Sequence, residues 1–181
     1  RRETLMAISD LIQQQFIIEL ATAYTFSHQT IQQTAYAGVM DDARIESHRR
    51  AAVALAELHP HAIEAIARHY QKANQPNQAI HYYRQSAQNA LSHFALATAQ
   101  LHLDHALALA EQATLPPDDY FELLAQRETI AQVTGDTKTR QHDLAKMAQL
   151  AQGNAQKLAD TERRYVHYHT NVAPPDVDKA M

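Results

Sequence analysis

The sequence contains no cysteine, and only three glycines and six prolines among its 181 residues. Without cysteine there is no disulfide framework and no thiolate chemistry, which fits a reducing, cytoplasmic setting. Scarce glycine and proline argue against an all-β protein, which needs turn residues every few positions. No apolar run approaches the ~20 residues that a membrane-spanning helix requires. The longest, at 51–58 and 16–20, fall far short. The opening residues do not read as a secretory signal. A start at Arg1, in mid-element and without Met, predicts an excised piece of a larger protein. Strong basic charge is also lacking. The net charge is −4 with histidines neutral, and the tightest basic clusters are Arg1-Arg2, Arg49-Arg50 and Arg163-Arg164. Three such pairs read as solvated helix faces, and no nucleic-acid partner is expected for this chain.

What is present favours helix. Hydrophobic residues make up 45% of the chain, and Ala, Leu and Gln, all good helix formers, recur throughout. Residues 4–15 place Leu5, Ile8, Leu11 and Ile12 on one helical face. Two short β-prone runs follow, 16–20 and 23–26, around Ala21-Thr22, and they suggest a small hairpin. Ser27 can cap a helix carrying Ile31, Ala35 and Val39. From Asp41 onward every segment reads as helix or short connection. His59-Pro60 ends one helix, with Pro60 suited to the first turn of the next. Asn74 to Asn77 is a turn with Asn77 as N-cap, and a further helix spans 94–112. Pro116-Pro117 punctuates again, and Gly135-Asp136 and Gly153-Asn154 each read as a C′ glycine followed by an N-cap. Helices of 12–20 residues with such short connections must fold back on their neighbours.

The helix pair around residue 75 resembles a tetratricopeptide (TPR) repeat. Ile63, Ile66, Ala67 and Tyr70 fall on the first helix and Ala79 and Tyr83 on the second, at the separation of W-x2-L-G-x2-Y and A-x3-F. Tyr70 and Ala79 are identities and Tyr83 stands in for Phe, while other helix pairs do not keep the 34-residue period. The expected fold is therefore all-α, antiparallel helix pairs forming a TPR-like right-handed superhelix over 41–170. A small winged-helix remnant would occupy 1–39 and a tail 171–181. The competing architecture is a plain helical bundle without repeats.

Tyr24-Thr25-Phe26-Ser27-His28 is followed by Ile31 and Tyr36, then Arg44, His48 and Arg49, then Ala67, His69 and Tyr70. This series resembles a stretch of bacterial STAND regulators, multidomain signal-transducing ATPases, where the winged helix ends and a helical-repeat sensor begins. The resemblance extends through the Ala-rich segment 79–112 and the segment 123–151 around Gly135-Asp136. It implies a protein-interaction or sensor module of a larger regulator, without catalysis of its own. It also implies a nucleotide-sensing role for His28, in the place of the histidine of an M-H-D motif that meets the ADP β-phosphate. His28 alone matches; Ser27 and Gln29 depart from the motif. No G-x-x-x-x-G-K-[ST] loop is present, so ATP or ADP is expected only in an N-terminal core outside this sequence. The rival reading is a freestanding TPR scaffold for protein assembly.

Other chemistry finds little support. His102 and His105 share a helix face, and His59/His61 and His167/His169 alternate, yet no third ligand at zinc spacing accompanies them. An enzyme using these histidines as a metal site is the weakest alternative. The serines lack any nucleophile-elbow context. Asp41-Asp42 and Asp118-Asp119 sit at helix starts, where they complement the helix dipole. Tyr70, Tyr82 and Tyr83 are candidates for a partner groove, and of the adjacent pair one should face the core. The partner would be a protein, a peptide or the ATPase core of the same chain. The last helix, with Leu158, Tyr165, Val166 and Tyr168, offers a surface for a homodimer.

Overall fold

The computed structural model describes residues 2–21, 23–113 and 115–172. Thr22 of the expected hairpin turn and the tail from 173, with Pro174-Pro175, lie outside the described residues. The fold is mostly helical, with one two-stranded sheet among the described residues. No helix among them is long and apolar enough to cross a membrane.

The chain divides into two compact units, Arg1–Ser47 and His48–Met181. The division falls inside a helix, later than the boundary near residue 40 that the sequence pattern suggests. The first unit contains α1 (Arg2–Gln13), β1 (Ile17–Glu19), β2 (Tyr24–Phe26) and α2 (Gln29–Gly38). The strands pair antiparallel with Ile18 opposite Thr25. None of the described residues up to Ser47 is buried. Ser27 does not cap α2. His28 holds the N-cap position without a side-chain cap, and the Ser27 hydroxyl instead donates to the Phe16 carbonyl across the hairpin, at 3.2 Å.

The division cuts α3 (Asp41–Leu58); α4 (Ile63–Lys72), α5 (Pro76–Ser92), α6 (Leu96–Ala110), α7 (Pro117–Thr134), α8 (Thr137–Leu150) and α9 (Ala155–Val172) follow. Each of α4 to α9 packs chiefly on the helices adjacent in sequence. Ile66, Tyr83, Leu103, Leu123, Leu124, Leu144 and Met147 are the large buried apolar side chains, each worth about 1.5–3 kcal/mol of transfer free energy. Between them Ala67, Ala79, Ala87, Ala99 and Ala106 are fully buried; with only a methyl between them, helix axes come close together. On α7, buried residues lie all round the helix, among them Phe121, Leu124, Glu128 and Ala131. That is the mark of a helix covered from more than one side.

Four helix ends close in one way. The residue after the helix takes a left-handed conformation, and the next N–H bonds to the carbonyl five residues back. Gly135 (φ 74) does so with Asp136 N bonding Ala131 O at 2.9 Å. Gln15, Asn74 and Phe94 hold the same place after α1, α4 and α5, at φ 57, 53 and 57. Their bonds run from Phe16 to Leu11, Gln75 to Tyr70 and Ala95 to Ala90. Phe94 therefore does not start a helix; it closes α5, with its ring 88% exposed. Pro76, not Asn77, opens α5, since proline's missing N–H is one that a helix start leaves unpaired in any case. Pro60 lies in the turn ahead of α4 rather than in its first turn. Asp136 and Asn154 do cap as the pattern suggests, accepting from Thr139 N and Lys157 N at 3.1 Å each.

Candidate functional site

Adjacent positions on a helix point about 100° apart, so Tyr82 and Tyr83 on α5 diverge. Tyr83 is buried, its hydroxyl donating to Gln71 Oε1 at 2.7 Å. Its ring stacks on His105 and His102 of α6, with centroids 5.0 and 6.1 Å away. Tyr82 is half-buried and stacks on Tyr70 of α4 at 5.5 Å, 16° from parallel. The three tyrosines thus form two separate stacks. A ligand can reach Tyr70 and Tyr82, whereas Tyr83 belongs to the core. Burial pushes the hydroxyls of Tyr70 and Tyr83 above their ordinary range, so both stay protonated.

On α4, α5 and α6 lies an open groove of about 430 Å³. Exposed Glu64 and Arg68 line it from α4, buried Ser86 and exposed Asn89 from α5, exposed Thr98 and buried His102 from α6. Glu64 and Arg68 stand one helical turn apart, and their ion pair is loose at 3.7 Å. His102 is 4% exposed, and its Nδ1 is buried without a hydrogen-bond partner among the described residues. Burial lowers the His102 pKa, with Glu64 opposing and His105 and Arg68 assisting, so the ring is neutral at pH 7. Neutral imidazole offers one donor and one acceptor nitrogen. His102 and His105 therefore serve the Tyr83 stack and the groove. Among the described residues no three His, Asp or Glu groups gather as metal ligands.

His28 sits exposed at the start of α2, its carbonyl accepting from Ile31 N at 3.1 Å. Nearby in the first unit, Leu11, Phe16, Ile17, Phe26 and Ile31 line an apolar hollow of about 470 Å³. In the second unit His48 and His69 meet Nδ1 to Nδ1 at 2.9 Å. On α9, Tyr165 and Tyr168 are half-buried, with Arg140 over the Tyr168 ring, while Leu158 and Val166 are exposed.

The sequence reading missed a buried ionic network. Glu128 of α7 is fully buried and takes Arg140 of α8 at 2.8 Å and Arg164 of α9 at 2.6 Å. Arg164 also meets Asp160 at 3.0 Å. Arg127 bridges Asp104 of α6 at 2.7 Å and fully buried Asp143 of α8 at 2.6 Å. Burial disfavours the charge on Arg127, but its contacts with Asp143 and Asp104 outweigh burial and hold its pKa above the usual arginine value. Arg164 is thus no solvated-face residue, and Asp118 does more than face the start of α7, since it pairs with Lys157 of α9. Single charges scattered over four helices leave no local spacing, so no linear motif could reveal this network. The one available signal is a charge on an otherwise apolar stretch, as at Glu128 between Leu124 and Ile130.

Comparison of the chain with protein-family models, curated proteins and solved structures gives no match.

Proposed function

We propose that the chain is a protein-interaction or ligand-sensing module of a larger STAND-type regulator, with α4 to α9 forming a TPR-like superhelix and with no chemistry of its own. The observation that carries this reading is the packing of each helix from α4 to α9 chiefly on its sequence neighbours. Such packing is what a repeat array requires, because each unit buries its apolar face only against the next. The polar groove on α4–α6 is the site such an array would offer to a ligand. The helix–hairpin–helix order of the first unit, with His28 at the start of α2, is consistent with the end of a winged helix. A helix start gathers unpaired N–H groups, and a histidine there adds a donor for phosphate. The freestanding-scaffold reading draws on one feature: the core of the second unit is formed from its own residues.

The test is His28→Ala in the full-length parent. Loss of one hydrogen bond to a charged phosphate should speed ADP release about ten- to hundred-fold and raise basal output. Unchanged ADP release with unchanged output would favour the scaffold.

A further inference from the structure

The groove on α4–α6 holds two features that the fold alone does not use. One is the pair Glu64 and Arg68, both more than half exposed and only loosely paired at 3.7 Å. A pair this open contributes little to stability, on the order of 0–1 kcal/mol, and most of the five N–H donors of Arg68 remain available. The other is His102 Nδ1, buried and without a hydrogen-bond partner among the described residues. A buried polar atom of this kind costs free energy until something pairs with it. Ser86, Asn89 and Thr98 add neutral donors and acceptors on the same walls.

The lining is balanced in charge. One permanent cation faces one permanent anion, and His102 is neutral. A dianion such as phosphate would meet Arg68 but be repelled by Glu64, and a plain amine would meet the reverse. A molecule that carries a carboxylate and an ammonium group on neighbouring atoms satisfies both charges. Arginine holds a carboxylate well through two parallel N–H donors. About 430 Å³ lies within the usual range of small-molecule sites, and it exceeds what a bare acetate ion would fill.

We propose that this groove binds a free amino acid, with Arg68 holding its carboxylate, Glu64 its ammonium group and His102 a polar atom of its side chain. This deepens the sensing role proposed above by naming the ligand class, and it rests on that reading only for its biological purpose. Because His102 is neutral at pH 7, a side chain that can both donate and accept, such as an amide or a hydroxyl, fits it best. Protonation of His102 in acid removes its acceptor and weakens that contact.

Calorimetric titration of the chain with each of the twenty L-amino acids, and with acetate and ethylamine alone, tests the proposal. At least one polar amino acid should bind more tightly than about 1 mM, with acetate and ethylamine at least about ten-fold weaker. Arg68→Met and Glu64→Gln, both at exposed positions that leave the core intact, should each weaken that binding about ten- to hundred-fold. His102→Gln, which keeps a donor and an acceptor, should retain binding and abolish its loss between pH 7 and pH 5. No amino acid binding at millimolar concentration would overturn the proposal. So would acetate binding as tightly as the amino acids, or binding unmoved by Glu64→Gln. The sensing role has its own readout, the effect of the bound amino acid on output of the full-length parent. Tight binding with no change in output would leave the site standing and remove the sensor role.

Discussion

The two units use similar helical patterns and reach opposite results in burial. In the first, α1 carries Leu5, Ile8, Leu11 and Ile12 on one side, yet Leu5 remains 64% exposed and no described residue up to Ser47 is buried. In the second, α4 carries Ile63, Ile66, Ala67 and Tyr70, and Ile66 and Ala67 are fully buried. An amphipathic stripe specifies a helix and the side of it that seeks cover. It does not specify that cover is present. The second unit supplies cover by stacking helix after helix; the first has a short hairpin and two helices, too little surface to enclose a core.

The contrast breaks most sharply at charge. Glu128→Gln should destabilise the second unit by about 3–5 kcal/mol, because it leaves Arg140 and Arg164 buried without their counter-charge. Urea unfolding followed by circular dichroism measures this, and a loss below about 1 kcal/mol would mean that water reaches the network.

Paired apolar truncations sharpen the comparison directly. Leu103→Ala, at a fully buried position, should cost about 2–5 kcal/mol through lost burial and the cavity left behind. Leu5→Ala, on the first unit, should stay within about 0.5 kcal/mol. Equal losses at the two sites would show that the Leu5 face is covered in solution.

The smallest effect is electrostatic. Burial lowers the pKa of His48, His69 and His102, with neighbouring Lys72 and Arg68 adding to the shift at the first two. The unfolded chain then takes up protons first as pH falls below about 6.5. Stability that is fully present above that pH should decline between pH 6.5 and 5, modestly because His48 and His69 are partly exposed. Urea midpoints at pH 7.5 and 5.5 check this, and a midpoint that rises on acidification would contradict the sign.

Much of the local structure was legible because it depends on residues close in sequence. Apolar spacing placed the helices, and Gly135-Asp136 and Gly153-Asn154 marked stops and starts through backbone freedom and capping oxygens. The ends at Gln15, Asn74 and Phe94 were harder to read. A non-glycine residue is held left-handed there by the bonds that close the helix, and no composition rule singles out a phenylalanine for that place. The candidate site was legible only in pieces. The sequence pointed to Tyr70, Tyr82 and Tyr83, but their division into two stacks depends on which helix lies against which face. Glu64, Arg68 and His102 meet in one groove although more than thirty residues separate the first from the last.

The sequence by itself determined a helical chain, its breaks, its lack of thiol chemistry and which side of each helix seeks cover, since all of these follow from composition and from spacing within a few turns. The tertiary structure alone decided which stripes are buried, where the charges of Arg127, Glu128, Asp143 and Arg164 pair, and that a polar groove with an unpartnered imidazole nitrogen lies on α4–α6. The physical reason is range. Helix formation is set by neighbours along the chain, whereas burial, ion pairing and a binding surface are set by contacts between segments far apart in sequence.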